Sequence, residues 1–431
     1  ANLTLFPKSM HRDFGLCHKF LDSAFFCYVC IYLKPSSITM RNIILFDETA
    51  TRENFLPITF TRPVSDIRFG ILTIRQKWEK AFPGTYSYAT AEYLSIKYPR
   101  VEADRDNDYH IAGNVCPTPE FVTMLENLHP GQAVTCKGKT IAYRGENPAE
   151  SLEIAEAPLA INMLPDIFML NEQALLDDFM TITRNAKSQK LSSTCTVIGD
   201  PCFPDGTPKI FLEEGAKAEA AILNVNKGPI YIGRDAEIME GSCIRGPLAL
   251  CEHAYVNMGT KIYGATTIGP YCKVGGELNN VVMIGYSNKG HDGFLGNAVI
   301  GEWCNLGANC VASNLKNDYS ETKLWNYPAH RFLRTGLQFC GLIMGDHTKA
   351  GINTMFNTAT VVGVGCNIHG SGFPRNFVAS FSEGGAAGFN DVSLSKFFDI
   401  ARRVMARRHV ELTDVDIEIF NSIYEIAETY K

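Results

Sequence analysis

Residues 230–275 read IYIGRDAEIMEGSCIRGPLALCEHAYVNMGTKIYGATTIGPYCKVG, and within them Ile232, Ile238, Ile244, Leu250, Val256, Ile262, Ile268 and Val274 succeed one another at a spacing of six. An α-helix repeats its buried face at about 3.6 residues and a strand at about 2.0, so neither produces this period. A left-handed parallel β-helix does, because each coil is a triangle of three six-residue sides with one aliphatic side chain per side pointing inward. The neighbouring positions agree. Glycine often comes directly after the aliphatic residue, as at Gly233, Gly269, Gly301, Gly307, Gly345, Gly351 and Gly363, and small residues such as Ala236, Ser242, Ala254 and Thr260 lie two before it, where tight corners exclude bulk. Short ordinary strands would instead alternate with period two.

The phase slips near Leu278 and Ile284 and resumes at Phe294, Ile300, Leu306 and Ala312. It breaks across Ser313 to Phe339 and returns as Met344, Ala350, Phe356, Val362 and Ile368. A repeat that skips and resumes contains an inserted loop. The polar stretch from Asn314 to Arg334, with Lys316, Lys323, Arg331 and Arg334, reads as such a loop beside a site.

At 431 residues the chain is long enough for two cores, since a single core stops growing near roughly 250–300 residues. A 45% hydrophobic fraction, 20% charged residues and a net charge of −6 describe a globular chain and exclude a nucleic-acid partner. The 14 cysteines lack a tight zinc spacing and read as buried thiols in a reducing, cytoplasmic setting. Residues 1–39 look foreign to the remainder of the chain, because Met40 directly precedes the strand-like run Asn42 to Phe46. The competing reading is a signal peptide around the apolar run Phe20 to Leu33, although no small-x-small cleavage site comes after it. That run is too short to span a bilayer, which takes about 20 apolar residues, so no membrane partner is expected.

From Asn42 strand-like and helical segments alternate, which predicts a Rossmann-like parallel sheet with helices on both faces over residues 40–190. Thr118 is an N-cap with Pro119 in the first turn, and Asn171 caps a helix running from Gln173 to Thr183. The β-helix occupies 191–375. A C-terminal helical tail, 376–431, carries Leu394, Phe397, Phe398, Ala401, Val404 and Met405 at helical spacing, with Arg402, Arg403, Arg407 and Arg408 on a solvated face or near the phosphates of an acyl carrier.

Gly290-His291-Asp292-Gly293-Phe294-Leu295-Gly296-Asn297-Ala298, succeeded by Asn305-Leu306-Gly307-Ala308-Asn309, resembles the acetyltransferase half of the GlmU-type bifunctional sugar nucleotidyltransferase/acetyltransferases in order and spacing. Ala312-Ser313-Asn314-Leu315-Lys316 and Met344-Gly345-Asp346-His347 look like the archaeal and Bacteroidetes branch. The resemblance implies that His291 is a general base on the amino group of a glucosamine 1-phosphate. Imidazole suits that task because it titrates near neutrality. The same resemblance implies that Asn305, Asn314 and Lys323 bind the sugar phosphate, that Ala308 lines an acetyl-CoA groove, and that the protein is a homotrimer. Phe294 stands where the family usually has Tyr.

In the N-terminal half, Ile43 to Arg52 sits where sugar nucleotidyltransferases carry a glycine-rich loop, but its glycines are absent. Arg52, Arg62 and Arg68 are the cations left to meet a UTP triphosphate, and Asn114, Asp166 and Asn171 are the candidate Mg²⁺ ligands. The implied product is UDP-N-acetylglucosamine, made by acetyl transfer from acetyl-CoA and then uridylyl transfer. Alternatives are an acyltransferase for another amino sugar or nucleotide sugar with a non-catalytic N-terminal domain, a non-catalytic assembly or regulatory subunit, and a zinc site of His253, His347 and His369 across a subunit boundary.

Overall fold

The computed structural model describes residues 41–431, so the readings made on residues 1–39 lie outside the described residues. A six-stranded sheet comes first: β1 (Asn42–Phe46), β2 (Thr85–Ala89), β3 (Tyr109–Ala112), β4 (Gln132–Cys136), β5 (Lys139–Arg144) and β6 (Glu150–Ile154), in the order β2-β1-β3-β5-β4-β6. Only part of it is the expected parallel sheet. β1 pairs in parallel with β2 and β3, but β5 runs antiparallel to both β3 and β4. The cause is local: Lys137 and Gly138 both take positive φ, 51° and 73°, the backbone of a two-residue hairpin turn, and this folds β5 straight back on β4.

Helix α1 (Thr49–Glu53) comes after β1, and α2 (Ile74–Ala81) begins with a capping box in which the Thr73 side chain accepts from the Gln76 amide. α2 buries Trp78 against Phe82 and Phe121, and its indole N–H donates to the Val115 carbonyl (2.7 Å). α3 (Pro119–Glu126) starts as its sequence predicts, with Thr118 accepting from the Phe121 amide and Pro119 in the first turn. α4 (Asp166–Met169) and α5 (Asn171–Thr183) then cross to the second half. Asn171 lies inside α5 and does not cap it. Its side chain accepts from the Gly70 amide (2.9 Å) and donates to Ala265 O and Thr267 Oγ1 (both 3.1 Å), because a buried amide must satisfy its whole polar complement.

From Thr196 to Gly385 the chain is a parallel β-solenoid. All eight residues of the six-residue series are at most 2% exposed, and each such side chain contributes about 1.5–3 kcal/mol by leaving water. Equivalent positions of successive coils stack in register, Ile232 with Leu250 and Leu250 with Ile268. Two details differ from the sequence reading. Leu295, not Phe294, points inward after the slip, and Ile284 faces out of the prism into the core of the sheet domain. The solenoid also runs past residue 375, with parallel strands at Phe377–Val378 and Ser382–Gly385 before an antiparallel strand, Gly388–Asp391, folds over the end. The insertion is a hairpin, Lys323–Asn326 with Arg331–Arg334.

The tail holds two helices, α6 (Leu394–Ala406) and α7 (Asp414–Ala427). Ser393 caps α6, and a Thr413/Asp416 capping box starts α7. One hydrophobic core runs from Ile43 and Trp78 through Ile284 and Ile343 to Phe397 and Ile423, joining sheet domain, outer face of the solenoid and tail, while the prism encloses a core of its own. No helix among the described residues is long and apolar enough to cross a membrane.

His110, 2% exposed and stacked on Tyr143 (4.2 Å between centroids), has its pKa lowered to about 4 by burial and by nearby Arg100. The folded state keeps this imidazole neutral, while the unfolded chain takes up a proton below about 6.5. Stability is therefore lost as pH falls from 6.5 to 4, by at most roughly 3.5 kcal/mol at about 1.4 kcal/mol per unit. His110→Phe is expected to flatten this part of the acid limb, measured as urea unfolding across that pH range.

Candidate active site

Where the prism slips phase, strand Asn288–Lys289 ends and the chain turns through Gly290 to Asp292 before strand Gly293–Glu302 begins. The Asn257 side chain donates to the Gly290 carbonyl (2.7 Å) and shapes this turn. His291 stands exposed on it, at the mouth of a cavity of about 680 Å³. Asn305 and Ala308 line the same cavity from the next coil, with Tyr286, Trp303 and Lys349. Ile400, Val404, Arg407 and Arg408 cover it from the end of α6. Arg408 is fixed there, donating to Asn288 Oδ1 (3.3 Å) and Tyr271 O (3.5 Å). Of the four tail arginines, Arg407 and Arg408 thus overlook the cavity, whereas Arg402 pairs with Asp399 (3.6 Å).

Asn314 and Lys323 stand elsewhere. Asn314 donates to Asn297 Oδ1 (2.7 Å), and Lys323 lies on the inserted hairpin, over a second cleft of about 1150 Å³ that it shares with Lys316, Arg375 and Trp325.

Sequence reasoning missed Lys349 and an aromatic ladder. Lys349 donates to Trp303 O (2.6 Å) and His347 O (2.8 Å), and burial, partly offset by Cys304 and Asp346, brings its pKa down to about 8. The ladder runs along one corner of the prism: His253, Tyr271, Tyr286, Trp303 and His347 stack with centroids 4.7, 5.0, 4.2 and 6.0 Å apart. Each holds a positive φ of 53–60°, a strained setting for a bulky residue that stacking helps to offset. A signal was present, since each aromatic residue precedes a small inward one: Ala254, Cys272, Ser287, Cys304 and Thr348. The three histidines of the zinc reading do not meet within one chain. His253 and His347 are rungs of the ladder, His369 lies near Glu383 (3.7 Å), and no group of three His, Cys, Asp or Glu among the described residues is placed to hold a metal.

The three arginines expected at a triphosphate are committed to the fold. Arg52 donates to Thr59 O (3.0 Å) and Tyr93 Oη (2.5 Å). Arg68 donates to Ile71 O and Ile284 O, joining sheet domain to solenoid. Arg62 pairs with Asp346 and, at 3.3 Å, with Glu302; burial alone would lower its pKa, but these two carboxylates raise it. Asp346 also accepts from Thr61 Oγ1 (2.7 Å) and the Glu302 amide (2.8 Å). All three arginines are at most 8% exposed. The sequence cannot separate a buried guanidinium from one facing a ligand.

Of the proposed metal ligands, Asn171 stands apart from Asn114 and Asp166. Asn114 donates to Ile161 O and Asn162 Oδ1, and Asp166 accepts from the Asn162 and Met163 amides, so these two share one segment, while Asn171 is at the solenoid. Asn114 and Asp166 stay together through Asn162 and offer a hard cation a single carboxylate, already engaged by two amides, while Asn171 takes no part. A different acid marks the carboxyl ends of the parallel strands, where open α/β sheets bind ligands. Asp47, just after β1, accepts from Thr90 Oγ1 (2.6 Å) and the Val64 amide (3.1 Å), and burial raises its pKa to about 6.

Asp346→Ala is expected to leave Arg62 buried beside only Glu302 and to cost about 3–5 kcal/mol, as breaking a buried pair does. Chemical denaturation of the purified variant measures it.

Residues 43–187 match the family described as sugar nucleotidyl transferase. A bifunctional protein GlmU of Methanocaldococcus jannaschii is 30% identical over 126 residues, 29% of this chain and 28% of that protein. A bifunctional sugar-1-phosphate nucleotidylyltransferase/acetyltransferase of Sulfurisphaera tokodaii is 28% identical over 145 residues, 33% of this chain and 36% of that protein. The bifunctional protein GlmU of Synechococcus elongatus is 20% identical over 311 residues, 68% of this chain and 63% of that protein. The matches thus span about a third of the length of the two archaeal relatives and less than two thirds of the cyanobacterial one. The chain carries a sugar nucleotidyl transferase-like domain ahead of a parallel β-solenoid, and it is similar to GlmU-type bifunctional sugar-1-phosphate nucleotidylyltransferase/acetyltransferases, archaeal ones included.

Proposed function

We propose that this protein transfers an acetyl group from acetyl-CoA to the amino group of glucosamine 1-phosphate, and then a uridylyl group from UTP to the acetylated sugar phosphate. The observation that carries the first step is that His291, Asn305 and Ala308 line one cavity with Arg407 and Arg408 over it. In that step the amine nitrogen attacks the thioester carbon as His291 accepts its proton, the carbon–sulfur bond breaks, and the thiolate leaves and is protonated as free CoA. Asn305 supplies an amide for orienting the sugar. The two arginines offer fixed positive charge to CoA phosphates.

In the second step a sugar-phosphate oxygen attacks the α-phosphorus of UTP and pyrophosphate leaves. The nucleotide enters as its magnesium complex, and the carboxyl ends of β1, β2 and β3 around Asp47 and Thr90 are its place in the fold. A homotrimer would set the Lys323 hairpin of one copy against a neighbour. The free cysteines suit a reducing cytoplasm.

A second reading has its own support. Arg52, Arg62 and Arg68 are spent on structure, which favours an N-terminal domain that binds a nucleotide without turning it over. Two assays on the purified protein with Mg²⁺ decide: CoA release from acetyl-CoA with glucosamine 1-phosphate, and pyrophosphate release from UTP with N-acetylglucosamine 1-phosphate. Release in both supports the bifunctional reading, CoA release alone supports the second, and silence in both overturns the assignment. His291→Ala is expected to lower acetyl transfer by about 10²–10⁴-fold and to leave pyrophosphate release unchanged.

A further inference from the structure

One inward column of the solenoid reads Ala218, Ile238, Val256, Val274, Lys289, Leu306, Ala350 and Ile368, each beside the next in register. Seven of the eight are apolar and one is a lysine, 0% exposed. A buried ammonium without a carboxylate is costly, and burial lowers the pKa of Lys289. Its stem takes an aliphatic place in the prism, while Nζ donates to three carbonyls: Gly275 O (3.3 Å), Asp292 O (2.9 Å) and His291 O. Three donors meet three acceptors, so the ammonium is fully satisfied. Two of the acceptors belong to the turn that carries His291, and the third to the coil before it.

The column itself has no use for this charge. An aliphatic residue would fill it as its neighbours do, and replacing a buried charge by an apolar residue of similar shape is often neutral or stabilising. The turn does have a use for it: Gly290 to Asp292 breaks the six-residue repeat, and although the Asp292 carbonyl still accepts from the Asn309 amide of the next coil (2.9 Å), the Gly290 carbonyl accepts from the Asn257 side chain and the His291 carbonyl from Lys289 in place of backbone partners, just where His291 must hold one orientation. We propose that Lys289 is a positioning residue for His291, a buried ammonium that clamps the carbonyls of His291 and Asp292 onto the preceding coil. The proposal rests on the reading of His291 as the base.

Lys289→Met keeps the stem and removes the ammonium. The expected result is faster hydrogen exchange, by at least about tenfold, at the amides of residues 290–293 and an unchanged or raised Tm. In acetyl transfer, kcat should fall roughly 10–100-fold with KM for glucosamine 1-phosphate within about twofold, since a misplaced catalytic group costs rate. A merely structural lysine would lower Tm and speed exchange across neighbouring coils together, and that result overturns the proposal. Unchanged exchange at 290–293 overturns it as well. Asn257→Ala, which frees the Gly290 carbonyl, should loosen the same turn and add to the effect. Full acetyl transfer by His291→Ala would end the base reading separately, because the exchange measurement does not depend on turnover.

Discussion

Every coil of the solenoid must place one side chain per side in a prism too narrow for water, and much else in the molecule derives from that packing constraint. Inward side chains are therefore mostly aliphatic or small, as in the run from Ile232 to Val274, with Lys289 and Phe356 as exceptions. Corners must bend sharply enough that several non-glycine residues adopt positive φ, and those residues then line up from coil to coil. At one corner the alignment becomes the ladder from His253 to His347, whose last rung packs edge-on against Phe397 of α6 and Phe420 of α7. The tail is thereby docked, and docking the tail puts Arg407 and Arg408 over the cavity.

The constraint also explains where chemistry sits. His291 stands where the coil stops being regular, at the slip between Val274 and Leu295, while Asn305 and Lys349 reach the same cavity from regular coils. Irregular backbone loses hydrogen bonds that regular coils supply, so polar side chains replace them: Asn257 at the Gly290 carbonyl and Lys289 at the His291 carbonyl, with Lys289 also joining the Asn309 amide at the Asp292 carbonyl. The inserted hairpin is the second such break, and it carries Lys323 into a separate cleft.

The sheet domain is bound to the solenoid by buried polar groups. Asp346 gathers Thr61, Arg62 and the Glu302 amide, Asn171 bridges Gly70 to Ala265 and Thr267, and Arg68 reaches Ile284. Buried groups of this kind need partners at set positions, so they fix one docking geometry where apolar packing alone would tolerate several. The same residues, Arg62, Arg68 and Asn171, carry the charge and donor types expected of a nucleotide site, and here they hold the two halves together.

The amino-acid sequence alone determined the solenoid, its slip and its insertion, because a period of six is written into residues that contact only their neighbours in adjacent coils. It also determined the Thr118 cap and α6, which depend on contacts within a few residues. His291, Asn305 and Ala308 were legible as a set because the repeat fixes their relative places. The tertiary structure decided what depends on contacts between distant segments: the pairing of β5 against β3 within the sheet, the burial of Arg52, Arg62 and Arg68, the parting of Asn171 from Asn114 and Asp166, and the placing of α6 over the cavity. A residue's type states which bonds it can make, but only the packed chain decides whether a carbonyl, a carboxylate or a ligand stands opposite.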